Sequence, residues 1–136
     1  MIWASSNVPE AAPSAIKTGN MRPSPLLNFK LLNYIPMIKA TVLYGHPTDA
    51  GAFESYYAEI HTPLALKMIG LTKFEVTKFI SGPGGSKPEY YRMAELYFSS
   101  PEEFQKAMGS PEGMATSADL ANFATGGVTI LVGTVG

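Results

Sequence analysis

The chain has 136 residues, of which 46% are hydrophobic and 15% charged, and a formal net charge of −1. That leaves room for one packed domain and, with Lys and Arg scattered, gives no basic stripe for nucleic acid. The absence of cysteine excludes disulfides, thiol nucleophiles and thiolate metal sites, and no apolar run approaches the roughly 18 residues of a membrane span.

Residues 1–36 stand apart in composition. They carry Pro9, Pro13, Pro23, Pro25 and Pro36, a density that removes backbone donors and discourages regular structure. Three readings are open for them: a flexible or disordered extension; an arm laid on a partner subunit through LLNFKLLNY, where Leu27, Lys30, Leu31 and Tyr34 make a rough helical stripe; or an upstream artefact, with Met37 as the natural start. The first residues lack a basic start followed by an apolar core, so a secretory signal is not expected and cytoplasmic residence is the default.

From residue 37 the pattern is regular. IKATVLY (38–44) alternates and predicts a strand. GHPTDAG predicts a turn with Asp49 as helix N-cap, and Phe53, Tyr57, Ile60 and Leu64 then recur at helical spacing. Pro63, lacking an N–H, predicts a kink against the carbonyl of Glu59, and Gly70 a stop. TKFEVTKFIS (72–81) and EYYRMAELYF (89–98) predict an antiparallel hairpin around the GPGG tip. SPEEF and SPEGM each predict a helix start, and GGVTILVGTVG a last strand.

The order β, α, β, β, α, β predicts an α+β ferredoxin-like sandwich: a four-stranded antiparallel sheet with both helices on one face. The strands carry large apolar groups on both faces, so an open apolar sheet face is expected, and with it an isologous homodimer, sheet against sheet.

Among chemical candidates, His61 lies one helical turn beyond Tyr57, next to the proline kink. An imidazole there suits proton transfer, yet spacing alone equally describes a packed helix residue and favours that plainer reading. Tyr44 and Tyr97, near strand ends, are candidates to orient an oxygenated ligand, and Glu95, between Met93 and Tyr97, is a carboxylate among apolar groups that is either paired or raised in pKa. His46 reads as a turn residue. Two histidines are too few for a His-rich metal centre, so no metal and no cofactor are expected.

The segment MIKATVLYGHPTDAGAFESYYAEIHTPLA (37–65), with its F…YY…H.PLA helix, and the closing SADLANFATGG resemble the EthD family. The resemblance covers 37–136 and implies a dimeric α/β barrel. It also implies a pocket role for the family histidine, which falls on His61, beside the tyrosine pair Tyr56 and Tyr57. The family is named for an association with ethyl tert-butyl ether degradation beside an oxygenase system. Related barrels include isomerases, cyclases, monooxygenases and haem-degrading enzymes, so the fold does not choose a chemistry. The expectation is a small hydrophobic or aromatic oxygenated ligand held between sheet and first helix, with His61 moving a proton and Tyr44, Tyr57, Tyr97 and Glu95 around it. A non-catalytic binding protein and a haem-binding protein stay open as alternatives.

Overall fold

The structure is a computed structural model that describes residues 35–136; the readings of the segment before Ile35 lie outside it. Strands β1 (Met37–Tyr44), β2 (Leu71–Lys78), β3 (Arg92–Phe98) and β4 (Val128–Val135) form one antiparallel sheet in the order β2-β3-β1-β4. This is the predicted ferredoxin-like arrangement.

The helices follow from local chemistry. The side chain of Asp49 accepts from the N–H of Ala52 at 3.0 Å and starts α1 (Ala50–Tyr56). A π-turn (Tyr57–His61) follows, in which the N–H of Thr62 reaches back five residues to the carbonyl of Tyr57, and a short α2 (Thr62–Ala65) completes the segment. Pro63 in a regular helix would drive its ring into the carbonyl of Glu59. The wider π-turn gives that ring room, so the expected kink takes this form. The extra residue also changes the buried face. Phe53, Tyr57, His61 and Ala65 point inward, whereas Ile60, expected in the core stripe, is 48% exposed.

Helices α3 (Pro101–Gly109) and α4 (Pro111–Phe123) meet at Ser110, whose Oγ donates to the carbonyl of Ala107 at 2.6 Å and accepts from the N–H of Gly113 at 3.1 Å. One hydroxyl thus closes α3 and opens α4. Glycine is required at 113, where a Cβ would stand 2.0 Å from the carbonyl oxygen of Ala107.

The β2–β3 hairpin is shorter than predicted. Beyond the bond from Phe79 N–H to the Tyr91 carbonyl, Pro83 and Pro88 supply no ladder donors, and a 3₁₀ turn (Pro83–Gly85) forms the tip. The register aligns Tyr44 with Arg92 and Ala40 with Leu96. Ile38, Ala40 and Tyr44 of β1 and Ala94, Leu96 and Phe98 of β3 therefore share the helix-covered face and form the core with Phe53, Tyr57 and Phe123. Among the described residues the opposite face is uncovered. β4 is exposed along its whole length, including Leu131 (57%) and Val132 (52%).

Candidate functional site

Between sheet and helices lies a cavity of about 70 Å³, room for a handful of heavy atoms at roughly 10–15 Å³ each. Its floor is sheet (Ala40, Val42, Ala94, Leu96), its roof is helix (Ala65, Met108, Leu120), and its polar end holds Tyr44, Tyr57 and His61. Exposed Ser117 and half-exposed Ile130 place the mouth between α4 and β4.

His61 enters because the π-turn swings it inward, leaving it 4% exposed. Its Nδ1 lies 2.9 Å from Oδ2 of Asp119 on α4, both side chains being buried. The other oxygen of Asp119 accepts from the Tyr56 hydroxyl at 2.6 Å and from Nδ2 of Asn122 at 2.9 Å. Burial pushes the Asp119 carboxyl up, but these hydrogen bonds outweigh it and hold it below the usual carboxylate range. An ionised carboxylate only accepts, so Nδ1 carries the proton and Nε2 presents a lone pair. Nε2 has no hydrogen-bond partner among the described residues, and the ring lines the cavity. Burial lowers the pKa of His61, against the hydrogen bond and charge of Asp119, which raise it. The result is a neutral, oriented imidazole at neutral pH: the equipment of a general base.

Aromatic rings fix this arrangement. His61 packs on Phe123 at 4.6 Å and Tyr57 stacks on Phe53 at 5.4 Å between ring centroids. Burial raises the pKa of Tyr44, which is 1% exposed, far above the usual phenol range. Behind Tyr57, Arg92 is paired with Glu54 at 2.6 Å, and Glu54 also accepts from the Tyr91 hydroxyl at 2.7 Å.

The structure thus gathers Tyr44, Tyr57 and His61 on one cavity. Glu95 and Tyr97 stand elsewhere: both project from the uncovered sheet face, where Glu95 pairs with Lys39 at 3.0 Å and the Tyr97 ring lies near the ammonium groups of Lys39 and Lys73. Their expected place in the pocket is corrected by strand pairing. Alternate residues face opposite sides, and Tyr44 shares its side with Leu96 and Phe98. His46 ties the β1–α1 turn to the hairpin, its Nε2 2.7 Å from the carbonyl oxygen of Pro88. Asp119 is the member that sequence reasoning passed over. Its signal was present in ADLANF, where the carboxylate precedes Asn122 and Phe123, both of which touch the His61 cluster.

The family model described as the EthD domain matches residues 45–127. An uncharacterised 11.0 kDa protein encoded between thcB and thcC in Rhodococcus erythropolis is 42% identical over 95 residues, covering 70% of this chain and 91% of that protein. The chain belongs to the EthD family. The crystal structure of an EthD family protein from Bacillus halodurans C-125 superposes with a TM-score of 0.68 at 36% identity, over 71% of this chain and 96% of that one. A protein of unknown function from Thermobifida fusca, described as dimeric and ferredoxin-like, shares the fold at a TM-score of 0.57 and 12% identity, over 76% of this chain and 96% of that one. Among the described residues no helix is long and apolar enough to cross a membrane, and no group of three or more metal-binding side chains is assembled.

Proposed function

We propose that this EthD-family chain binds a compact, mainly apolar oxygenated molecule in the cavity and that His61 takes a proton from it, with no cofactor taking part. The observation that carries this reading is the 2.9 Å contact of His61 Nδ1 with Asp119, on a ring that lines the apolar cavity. A packed histidine needs an acceptor for its Nδ1 proton; an ionised, triply hydrogen-bonded carboxylate in that place also stabilises the imidazolium formed on proton uptake, as a base requires. Tyr44 and Tyr57 flank the same end and would position the ligand's oxygen. The solved relative's description as an ethyl tert-butyl ether family protein supports an oxygenated apolar ligand, in keeping with a role beside a degradation pathway.

We infer further that two copies pair through the uncovered sheet face. Leu131, Val135 and Met37 on that face are 57%, 37% and 39% exposed, and burying them needs a partner of matching character.

The functional test is mass spectrometry of the ligand that co-purifies with the full chain, followed by His61→Ala. Loss of turnover of that molecule, with native circular dichroism retained, is the expected result. Unaltered conversion by His61→Ala would remove the proton-transfer role. Binding without conversion by either protein would make the chain a carrier.

A further inference from the structure

Buried polar side-chain atoms in folded proteins nearly always have a partner, and an exception asks what it is kept for. Here the exception is the hydroxyl of Tyr57: buried, with no hydrogen-bond partner among the described residues, on a side chain that lines the cavity. Tyr44 stands edge-on to it, 5.5 Å between ring centroids, near enough to bias its titration without hydrogen-bond geometry. Burial pushes the Tyr57 phenol up to about 12, against the pull of the Arg92 guanidinium 5.1 Å from its ring, so it remains a neutral O–H donor. Arg92 is occupied by Glu54.

His61 follows four residues later, its ring 5.8 Å from that of Tyr57 and tilted by 25°. Both side chains line the same cavity. One offers a proton with no acceptor; the other offers a lone pair with no donor. A ligand answering both carries an acceptor oxygen beside an acidic hydrogen. Beyond them Ala65, Met68, Phe74, Leu96 and Met108 offer no polar side-chain group, and the Thr116 hydroxyl already donates to the carbonyl of Glu112 at 2.8 Å. Apart from Tyr44 beside them and Ser117 at the exposed mouth, the lining therefore suits an apolar remainder of the ligand.

We propose that the substrate is a compact ketone or 1,3-dicarbonyl compound, with the Tyr57 hydroxyl donating to the carbonyl oxygen while His61 Nε2 removes the proton from the adjacent carbon. This names the substrate class of the preceding reading and rests on it. The C–H bond breaks, its electron pair becomes the carbon–carbon double bond, and the carbonyl π pair moves onto oxygen. The proton resides on Nε2, with the imidazolium held by Asp119 and the enolate oxygen by Tyr57. Return of that proton to the same carbon restores the ketone; its replacement on Nε2 by a solvent deuteron before return gives exchange, without an oxidant or second reactant.

The test uses the full chain in deuterated water with cyclopentanone and with acetylacetone, following exchange of the α-hydrogens by proton NMR. The wild type should accelerate exchange over buffer. Tyr57→Phe should lower that acceleration on the order of 10²–10³-fold, as loss of one oxyanion donor does. Its melting temperature should stay level or rise, because the ring is kept and only an unpartnered hydroxyl is removed. His61→Ala should abolish the acceleration. Exchange undiminished in Tyr57→Phe yet absent in His61→Ala would overturn the role of Tyr57 while leaving His61 as the base. No acceleration with either compound would overturn the substrate class. Acceleration that survives His61→Ala would overturn this proposal and the base assignment together.

Discussion

His61 is held by opposing forces, and its neutrality follows from which one wins. Desolvation disfavours the charged ring; Asp119 favours it; desolvation is the larger. Between a depressed folded pKa and the ordinary 6.5, the unfolded chain binds more protons than the native one, so stability rises with pH across that window. The contribution of His61 is complete above about 6.5 and is lost as pH falls through the folded value. Asp119, also depressed, adds a contribution of the same sense that is present above about 3.9 and lost below it. Urea unfolding at stepped pH should accordingly show stability falling once pH drops below about 6.5, and a flat profile between pH 7 and 5 would contradict it. Asp119→Asn removes the charge that favours the imidazolium, so the remaining His61 pKa should move further down. An upward move, read by NMR titration, would show that the carboxylate is not the group raising it. Core packing gives a second expectation at this scale. Phe98 is fully buried against Phe104 at 5.4 Å between centroids, and Phe98→Ala should cost about 3–5 kcal/mol in denaturant unfolding.

At the scale of elements, the π-turn is what makes a site from an otherwise ordinary amphipathic segment. Caps and strand alternation were legible because they depend on neighbours a few residues apart: Asp49, Ser100 and Ser110 all cap as their spacing predicts. The turn was not legible, because a stripe counted at 3.6 residues per turn keeps Ile60 inward. The extra residue rotates it out and brings His61 in. Pro63 was the visible cause; the form of the accommodation was not. Ile60→Gln should therefore alter stability by less than about 0.5 kcal/mol, as an exposed position does. A loss of 2 kcal/mol or more, the range of a buried residue (roughly 2–5), would restore the regular-helix phase. The partner of His61 was hidden for another reason: Asp119 lies 58 residues away on a different helix, and no local period links them. Register hid the fate of Glu95 and Tyr97. Alternation correctly separates them from Leu96 and Phe98, but only the pairing of β1 with β3 decides which face lies under the helices.

For the whole molecule, the sheet is finished on one side only. The uncovered face is graded: Lys39 of β1 pairs with Glu95 of β3 and Lys73 with Glu75 along β2, while Leu131 and Val135 on β4 are apolar. Pairing of two copies would cover the apolar part and leave the charged part free to set orientation. Light scattering on the full chain should give twice its mass of 14.6 kDa, and Leu131→Asp should shift the population toward the single chain. A single-chain mass for the wild type at micromolar concentration would contradict the pairing. Closure at the other end of the sheet is also demanding. A Cβ on Gly126 would stand 2.2 Å from the carbonyl oxygen of His46, so Gly126→Ala should lose about 1–3 kcal/mol, the usual range for overpacking. The central claim is nevertheless local: that Asp119 holds His61 neutral with its Nε2 lone pair toward the cavity. Long-range proton–nitrogen correlation NMR of nitrogen-15-labelled protein at pH 7.5 measures this directly. The account predicts a neutral ring protonated at Nδ1, with an apparent pKa below 6.5. A ring protonated at Nε2, or doubly protonated at that pH, would contradict it.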